Sequence, residues 1–336
     1  MNTGFEDLLV RFVALGGIAE NIYQREGKHG RGIFPVDASL GAKIMTPKNL
    51  FIDASNLCID ENMIAIKDKS RYSADEIVFL ENYYNGISWG NNGNSASASF
   101  LRFIASLPEP IKKQLIHNGF SDAGLLSFRE DNDHLLRRFI QERCVGFGGR
   151  SVLAPIWELV NHSSFAPPLR ITPHGVEIPP IEPSSNEILH KYSGKNSPMG
   201  MWKKYGFACN CIVAYSIPFE INVGGHSLTI SCSGRLGLGP KDKSSFSLIG
   251  DTLSVKSLPV GCLSAGLPLA NFTSILSSAG LSVDVAKRLF EKVGDVNMKA
   301  RHDLLGLLHG AGLGAQVELS KALRYEIELV ETSFNA

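Results

Sequence analysis

Three pieces of one stretch decide how this chain is read: Arg143-Cys-Val-Gly-Phe-Gly-Gly149, then Leu153-Ala-Pro-Ile-Trp-Glu158-Leu-Val-Asn161-His162-Ser163, then Lys204-Tyr205-Gly206-Phe207. The middle piece is an apolar segment broken by a proline and closed by an acid and an Asn-His pair. An amide and an imidazole offer both donors and acceptors, so at the end of a buried run they can hold a ligand or a neighbouring segment. The last piece puts a phenol ahead of Ile212–Ile221, an apolar run with strand character, and is expected to stand at the mouth of that strand.

Working outward, residues 18–55 carry short apolar runs (Ile22, Ile33-Phe34, Ala42, Ile44, Phe51-Ile52) separated by glycine and proline, the punctuation of hairpin-linked strands. Gly30-Arg31-Gly32 lies among them. Glycines there let backbone approach a carboxylate or ribose closely, although such a pair alone is more often a tight turn without a ligand. No third glycine opens a helix, so it is not a dinucleotide fingerprint. Ahead of this region, Thr3-x-x-Glu6 predicts a capped helix over 4–15. The Gly- and Asn-rich residues 90–99 read as a flexible loop, and helical spacing follows at Phe100, Phe103 and Ile104, after Pro110, and at Leu135, Leu136, Phe139 and Ile140. Beyond 221 come short β-runs, then helices expected at 267–278, Val283–Val293 (stopped by Gly294), 299–309 and 317–330. Gly234–Lys241 is not a phosphate loop, because Pro240 separates the glycine from the lysine and no Ser or Thr follows the lysine.

With 336 residues, 44% hydrophobic, 20% charged and no formal net charge, the chain has the composition of a globular protein of one large or two smaller domains. Neutrality argues against a dedicated nucleic-acid binder. No secretory h-region and no uninterrupted spanning segment is present, so a cytoplasmic protein without membrane contact is expected. The six cysteines form no paired Cys-x-x-Cys sets, and Cys209-Asn-Cys211 on a strand would simply share a face, so no metal site is expected.

Gly30-Arg31-Gly32, the Asn161-His162 segment, Tyr192, and Tyr205-Gly206-Phe207 thirteen positions after Tyr192, taken in that order, resemble the SET-domain protein methyltransferases of the Rubisco large-subunit methyltransferase type. The resemblance runs over residues 18–221 and implies an α+β fold: a β-rich SET core (18–70 and 144–221) with a knot-like Asn-His segment, a helical insertion (71–143), and a mostly helical C-terminal domain (222–336), behind an N-terminal helix (1–17).

It further implies S-adenosylmethionine as cofactor and a lysine of a protein substrate as acceptor. Tyr205 would be catalytic, its hydroxyl beside the transferring methyl group. Gly30, Arg31, Gly32, Arg143, Glu158, Asn161 and His162 would bind the cofactor, Arg143 through its carboxylate. Tyr192 and Phe207 would line the substrate pocket. A histidine acceptor, or a SET-like interaction module with weak or absent turnover, remain the alternatives, and the oligomeric state is open. Two departures bear on the second: Ser185-Asn186-Glu187 replaces the family's Gly-Glu-Glu, and Ser197-Pro198 replaces a Ser-Asn, where proline removes a donor and fixes φ.

Overall fold

The structure, a computed structural model, describes residues 4–28, 30–127, 131–184, 186–192, 197–223, 226–231, 245–249 and 252–334. Ser185, Cys232 and the Gly234–Lys241 segment lie outside these. Helices and strands mix throughout, so the α+β expectation holds. The chain divides into two compact units: Met1–Phe103 with Phe128–Tyr192, and Ile104–Ser127 with Ser193–Ala336. The expected domain boundaries differ from this. Residues 71–143 do not belong to one body, and the first unit's last segment ends at Tyr192, not at 221.

In the first unit, helix Phe5–Ala14 drives Leu8 and Phe12 into the core, with Gly4 at its N-cap; Thr3, from which a capping box is expected, lies outside the described residues. Strands Ile18–Glu20, Ala42–Pro47, Gly175–Ile181 and Arg170–Thr172 form one antiparallel sheet in that order. Ile22–Gly27 and Gly30–Pro35 form a hairpin beside it in sequence, and Ile52–Asp53, Arg150–Leu153 and Val145–Phe147 a three-stranded sheet. Apolar alternation explains the pattern: Ala42, Ile44 and Thr46 are buried while Lys43 and Met45 are less so.

The loop expected at 90–99 is instead helical: a π-helix over Tyr84–Gly93 runs directly into an α-helix over Asn94–Ser106. Side-chain anchors override the composition. Asn85 bonds both the N–H and the carbonyl of Ile64 (2.8 and 2.9 Å), and the buried Trp89 donates Nε1 to the Asn62 carbonyl (2.8 Å) with its ring edge-on to Phe139. These contacts hold the segment on the Leu57–Asp60/Met63–Ile66 hairpin, where its own propensity is weak.

The second unit packs helices Gly266–Ser278, Val283–Gly310 and Glu318–Phe334 with a two-stranded sheet (Val213–Tyr215, Pro259–Cys262) and a four-stranded sheet built around His226–Ser231 and Thr252–Lys256. Val283–Gly310 is one helix of 28 residues, not the two expected, because Gly294 does not stop it: the Phe334 ring lies where a side chain at Gly294 would be. A buried ionic node ties the unit together. Arg301 donates to Glu326 (2.7 Å), to the Asn297 side chain (2.8 Å) and to the Tyr215 carbonyl (2.7 Å), while Asn297 also accepts from the Ile217 N–H (2.9 Å). The pair is fully enclosed and its donors are well used, the condition under which such a pair holds a packing arrangement without leaving an uncompensated charge. Cys209 and Cys211 lie outside any strand with their sulfurs 3.6 Å apart, and among the described residues no cluster could hold a metal.

Candidate cofactor site

Three segments far apart in the sequence meet at Gly32. Within the hairpin Gly32 pairs with Arg25 and Arg31 with Glu26. Asn161 donates Nδ2 to the Arg31 carbonyl (3.1 Å) and to Glu187 Oε1 (2.6 Å). A Cβ at Gly32 would run into both the Glu187 carboxylate and the Asn161 amide, so only glycine admits them. Both amide hydrogens of Asn161 are thus used, which leaves its Oδ1 and the half-exposed Glu187 carboxylate as acceptors at this spot. Gly30 is exposed, and Arg31 makes a loose, solvent-facing pair with Glu26 (3.8 Å).

The Asn-His segment is held from both sides. Asn161–His162 pairs in parallel with Leu189–His190, and the Ser163 N–H reaches the His190 carbonyl (3.1 Å). The Ile188 N–H in turn reaches the Ile33 carbonyl (2.8 Å), which joins the ladder to the glycine hairpin. Where the resemblance implies a knot-like arrangement, the structure has this parallel ladder with a second bridge at Pro168 and Lys191. His162 accepts at Nδ1 from the Tyr192 N–H (3.1 Å), so its proton sits on Nε2, facing Ser164 Oγ (3.1 Å). Tyr192 sends its hydroxyl to the Val160 carbonyl (3.1 Å) and packs its ring between His162 and His190. His190 is fully buried against Trp157, neither ring nitrogen has a hydrogen-bond partner, and its pKa is pushed down to about 3. Burial is the main cause and the neighbouring His162 adds to it, with a partial offset from the Lys191 backbone.

Upstream of Asn161 the backbone makes an unusual turn. Ile156 has φ +71° and ψ −59°, and the Trp157 N–H closes back on the Pro155 carbonyl (2.9 Å), the geometry of a rare, strained γ-turn. Two side chains hold it: Thr46 donates its hydroxyl to the Pro155 carbonyl, and Tyr83 Oη accepts from the Ile156 N–H (3.0 Å) while donating to Glu158 Oε1 (2.9 Å). Burial and the Glu158 charge raise the Tyr83 pKa well above the ordinary phenol value, so the donor is kept.

Glu158, expected at the cofactor, is placed against this turn. Its Oε2 is closed off from solvent, its Oε1 faces Tyr83, and burial raises its pKa against the opposing pull of Arg143, so it helps position the turn. Arg143 is placed beside this group: it donates to Glu142 (2.9 Å), lies 4.5 Å over the Phe139 ring, and its charge acts on Glu158 and Tyr84.

Tyr205 and Phe207 belong to the second unit. Tyr205 is the last residue of helix Pro198–Tyr205, not the mouth of a strand; Gly206, at φ +81°, turns the chain as only glycine does readily. The strand run expected at Ile212–Ile221 is present as two strands, Val213–Tyr215 and Phe219–Val223. The Tyr205 ring lies 6.0 Å from that of Phe207 with the Lys204 ammonium 4.9 Å above it, and the Ala208 N–H is fixed by Glu318 (2.7 Å). Ser197-Pro198 proves to be a helix start: Ser197 Oγ caps the Gly200 N–H (3.1 Å) and Pro198 occupies the first turn, where a missing N–H costs nothing.

The sequence pointed to Gly32, Asn161 and His162, which the structure brings into one network; Arg143 and Glu158 lie at the Ile156 turn, and Tyr205 and Phe207 lie in the second unit. It missed Glu187, Thr46, Tyr83 and His190. Glu187 alone left a signal, being the one acid retained in Ser185-Asn186-Glu187.

No family model matches the chain, and no curated protein matches it. Solved structures do resemble it over nearly its whole length. The SET domain of LSMT bound to lysine and AdoHcy is 13% identical, with 97% of this chain and 89% of that chain covered and a TM-score of 0.43. Rubisco LSMT bound to AdoMet is 13% identical, with 98% and 90% covered and a TM-score of 0.45. Rubisco LSMT bound to sinefungin and monomethyllysine is 13% identical, with 98% and 88% covered and a TM-score of 0.42. At this identity and superposition the likeness carries no argument about activity, which rests on the chain's own residues.

Proposed function

We propose that the chain is an S-adenosylmethionine-dependent protein methyltransferase with a lysine side chain as acceptor. The observation that carries this reading is the meeting of Gly32, the Arg31 carbonyl, Asn161 and Glu187, with His162 held in one tautomer next to them. That site is lined by acceptors: a carboxylate, an amide oxygen and strand carbonyls. Such a set favours a cationic ligand carrying an ammonium and a sulfonium. S-adenosylmethionine would supply an electrophilic methyl group: the lysine nitrogen, neutral when it reacts, forms the new C–N bond as the C–S bond breaks, and its proton leaves to solvent.

The residues then act by holding and excluding. Asn161, fixed by two hydrogen bonds, orients the ligand side of the ladder without reorganising, and positioning of this kind is a main source of rate in a direct displacement. Glu187 offsets the ligand's positive charge. Burial of an acceptor lysine in an apolar channel would favour its neutral form. On sequence order alone we assign Tyr205 the hydroxyl nearest the reacting methyl group, and Tyr192 and Phe207 the walls around the acceptor. A second reading, a partner-binding module without turnover, is favoured by one observation: both amide hydrogens of Asn161 are committed within the protein.

Incubation of the purified chain with methyl-labelled S-adenosylmethionine and a cell lysate tests the enzyme. Label is expected in a discrete protein band, acid-stable and recovered on lysine, and lost in Tyr205→Phe. Stabilisation by S-adenosylhomocysteine without transfer to any band would favour the module, and no stabilisation at all would overturn the enzyme.

A further inference from the structure

The first unit carries a second site that the methyl-transfer reading does not use. One face of the three-stranded sheet forms its floor. Register pairs Asp53 with Val152 and Phe147 with Arg150, and residues two apart share a face, so Phe51, Asp53, Val152, Arg150 and Phe147 all project the same way. Ile52 and Leu153, on the opposite face, go into the core. Phe51 and Phe147 meet edge to face at 5.0 Å and wall one side. Lys48 and Arg71 complete the lining of a cavity of about 260 Å³. Both are set on anchored backbone: the Lys48 N–H bonds the His174 carbonyl (2.9 Å), and Tyr72, next to Arg71, donates its hydroxyl to the Phe51 carbonyl (2.9 Å).

Charge does not balance in this cavity. Three cations face one acid, and that acid is largely committed elsewhere: Asp53 Oδ1 accepts from the Ser55 N–H (3.0 Å) and hydroxyl (2.7 Å), while Oδ2 stands 3.7 Å from Arg150. The Ser55 bonds, with help from Arg150 and Arg71, keep the Asp53 carboxyl below its ordinary pKa, so it contributes one full negative charge and no more. Two positive charges are left over, against a low-dielectric aromatic wall that concentrates their field. A single carboxylate would neutralise one of them. A phosphomonoester, at ≈ −1.5 to −2, matches the pair, and its oxygens suit guanidinium forks. The volume is below the roughly 300 Å³ at which pockets begin to hold drug-sized molecules, so the occupant is one side chain or one small ester.

We propose that this cavity binds a phosphomonoester carried on a small aromatic or apolar body, the phosphate between Lys48, Arg71 and Arg150 and the body on Phe51 and Phe147. Titration calorimetry of the full chain with phenyl phosphate is expected to show saturable binding that weakens with added salt. Arg71→Gln and Arg150→Gln, both at exposed side chains, should each weaken it about tenfold, the scale of one charge-assisted hydrogen bond, without changing the melting temperature of the free protein. Lys48→Gln, outside the sheet, is the third variant and should behave alike. Phe147→Leu should weaken phenyl phosphate but leave the weaker binding of inorganic phosphate unchanged. A phosphotyrosine peptide that binds more tightly than phenyl phosphate would assign a protein source, and equal affinity a free small molecule. The proposal is overturned if phenyl phosphate shows no saturable binding, or if binding survives in the Arg71→Gln/Arg150→Gln double variant.

Discussion

At the scale of single residues, the candidate site depends on a strained one. Ile156 adopts a positive φ that a β-branched side chain disfavours, and it persists because Thr46 and Tyr83 take up the carbonyl and the N–H of the Pro155–Ile156 peptide. Tyr83→Phe removes the acceptor for the buried Ile156 N–H and the donor to Glu158 at once. A loss of about 2 kcal/mol or more is expected in denaturant unfolding, since each orphaned group carries its own desolvation penalty. A change under about 0.5 kcal/mol, the level of a neutral surface substitution, would show that the turn holds without it. His190 predicts a pH effect. Its folded pKa, about 3, lies below the ordinary 6.5, so the unfolded chain binds the extra proton first and stability falls as pH drops through the window between those values. From pH 7 to 5 the expected loss from this group is about 2 kcal/mol, and His190→Leu should flatten the profile over that range. Gly32, Asn161 and His162 were legible because their types and spacing are local features of the sequence. Thr46, Tyr83 and Glu187 were not, because each matters through a partner dozens of positions away or more.

Among elements, the informative differences are helices where the sequence suggested something else. Gly294 reads as a stop, yet the helix continues through it because the Phe334 ring, stacked 4.5 Å from Phe290, fills the space above its Cα. Propensity alone predicts that Gly294→Ala stabilises by about 1 kcal/mol. Overpacking against Phe334 is expected to reverse the sign, for a net loss of about 1 kcal/mol or more, with Gly294→Ala/Phe334→Leu recovering part of it in thermal unfolding. Tyr205 shows the same logic in reverse. Its glycine neighbour reads as the lead into a strand, whereas Gly206 ends a helix started by Ser197 and Pro198. Glycine marks a place where backbone is free to turn or to be approached; the neighbours choose which.

For the whole molecule, two units each carry their own core, the second locked by Arg301 and Glu326. Arg301→Met leaves the Glu326 carboxylate buried without its counter-charge, and a destabilisation of about 3–5 kcal/mol is expected in denaturant unfolding of the full chain followed through Trp202 of that unit. Arg301→Met/Glu326→Met should be far milder, and equal losses in the single and double variants would mean that packing volume, not charge, holds the node. From the sequence by itself came the strand-rich first third and the helical C-terminal end, which follow from periodicity and glycine and proline punctuation acting over a few residues. The α+β class and the residues of the candidate site came from the family resemblance, which rests on short motifs in order. Tertiary structure alone decided that Glu187 closes on Gly32, that Tyr83 holds Ile156, that residues 71–143 are divided between two units, and that three cations surround one acid on a sheet face. Those outcomes depend on which distant surfaces pack together, and packing is a property of the folded chain that no local pattern encodes.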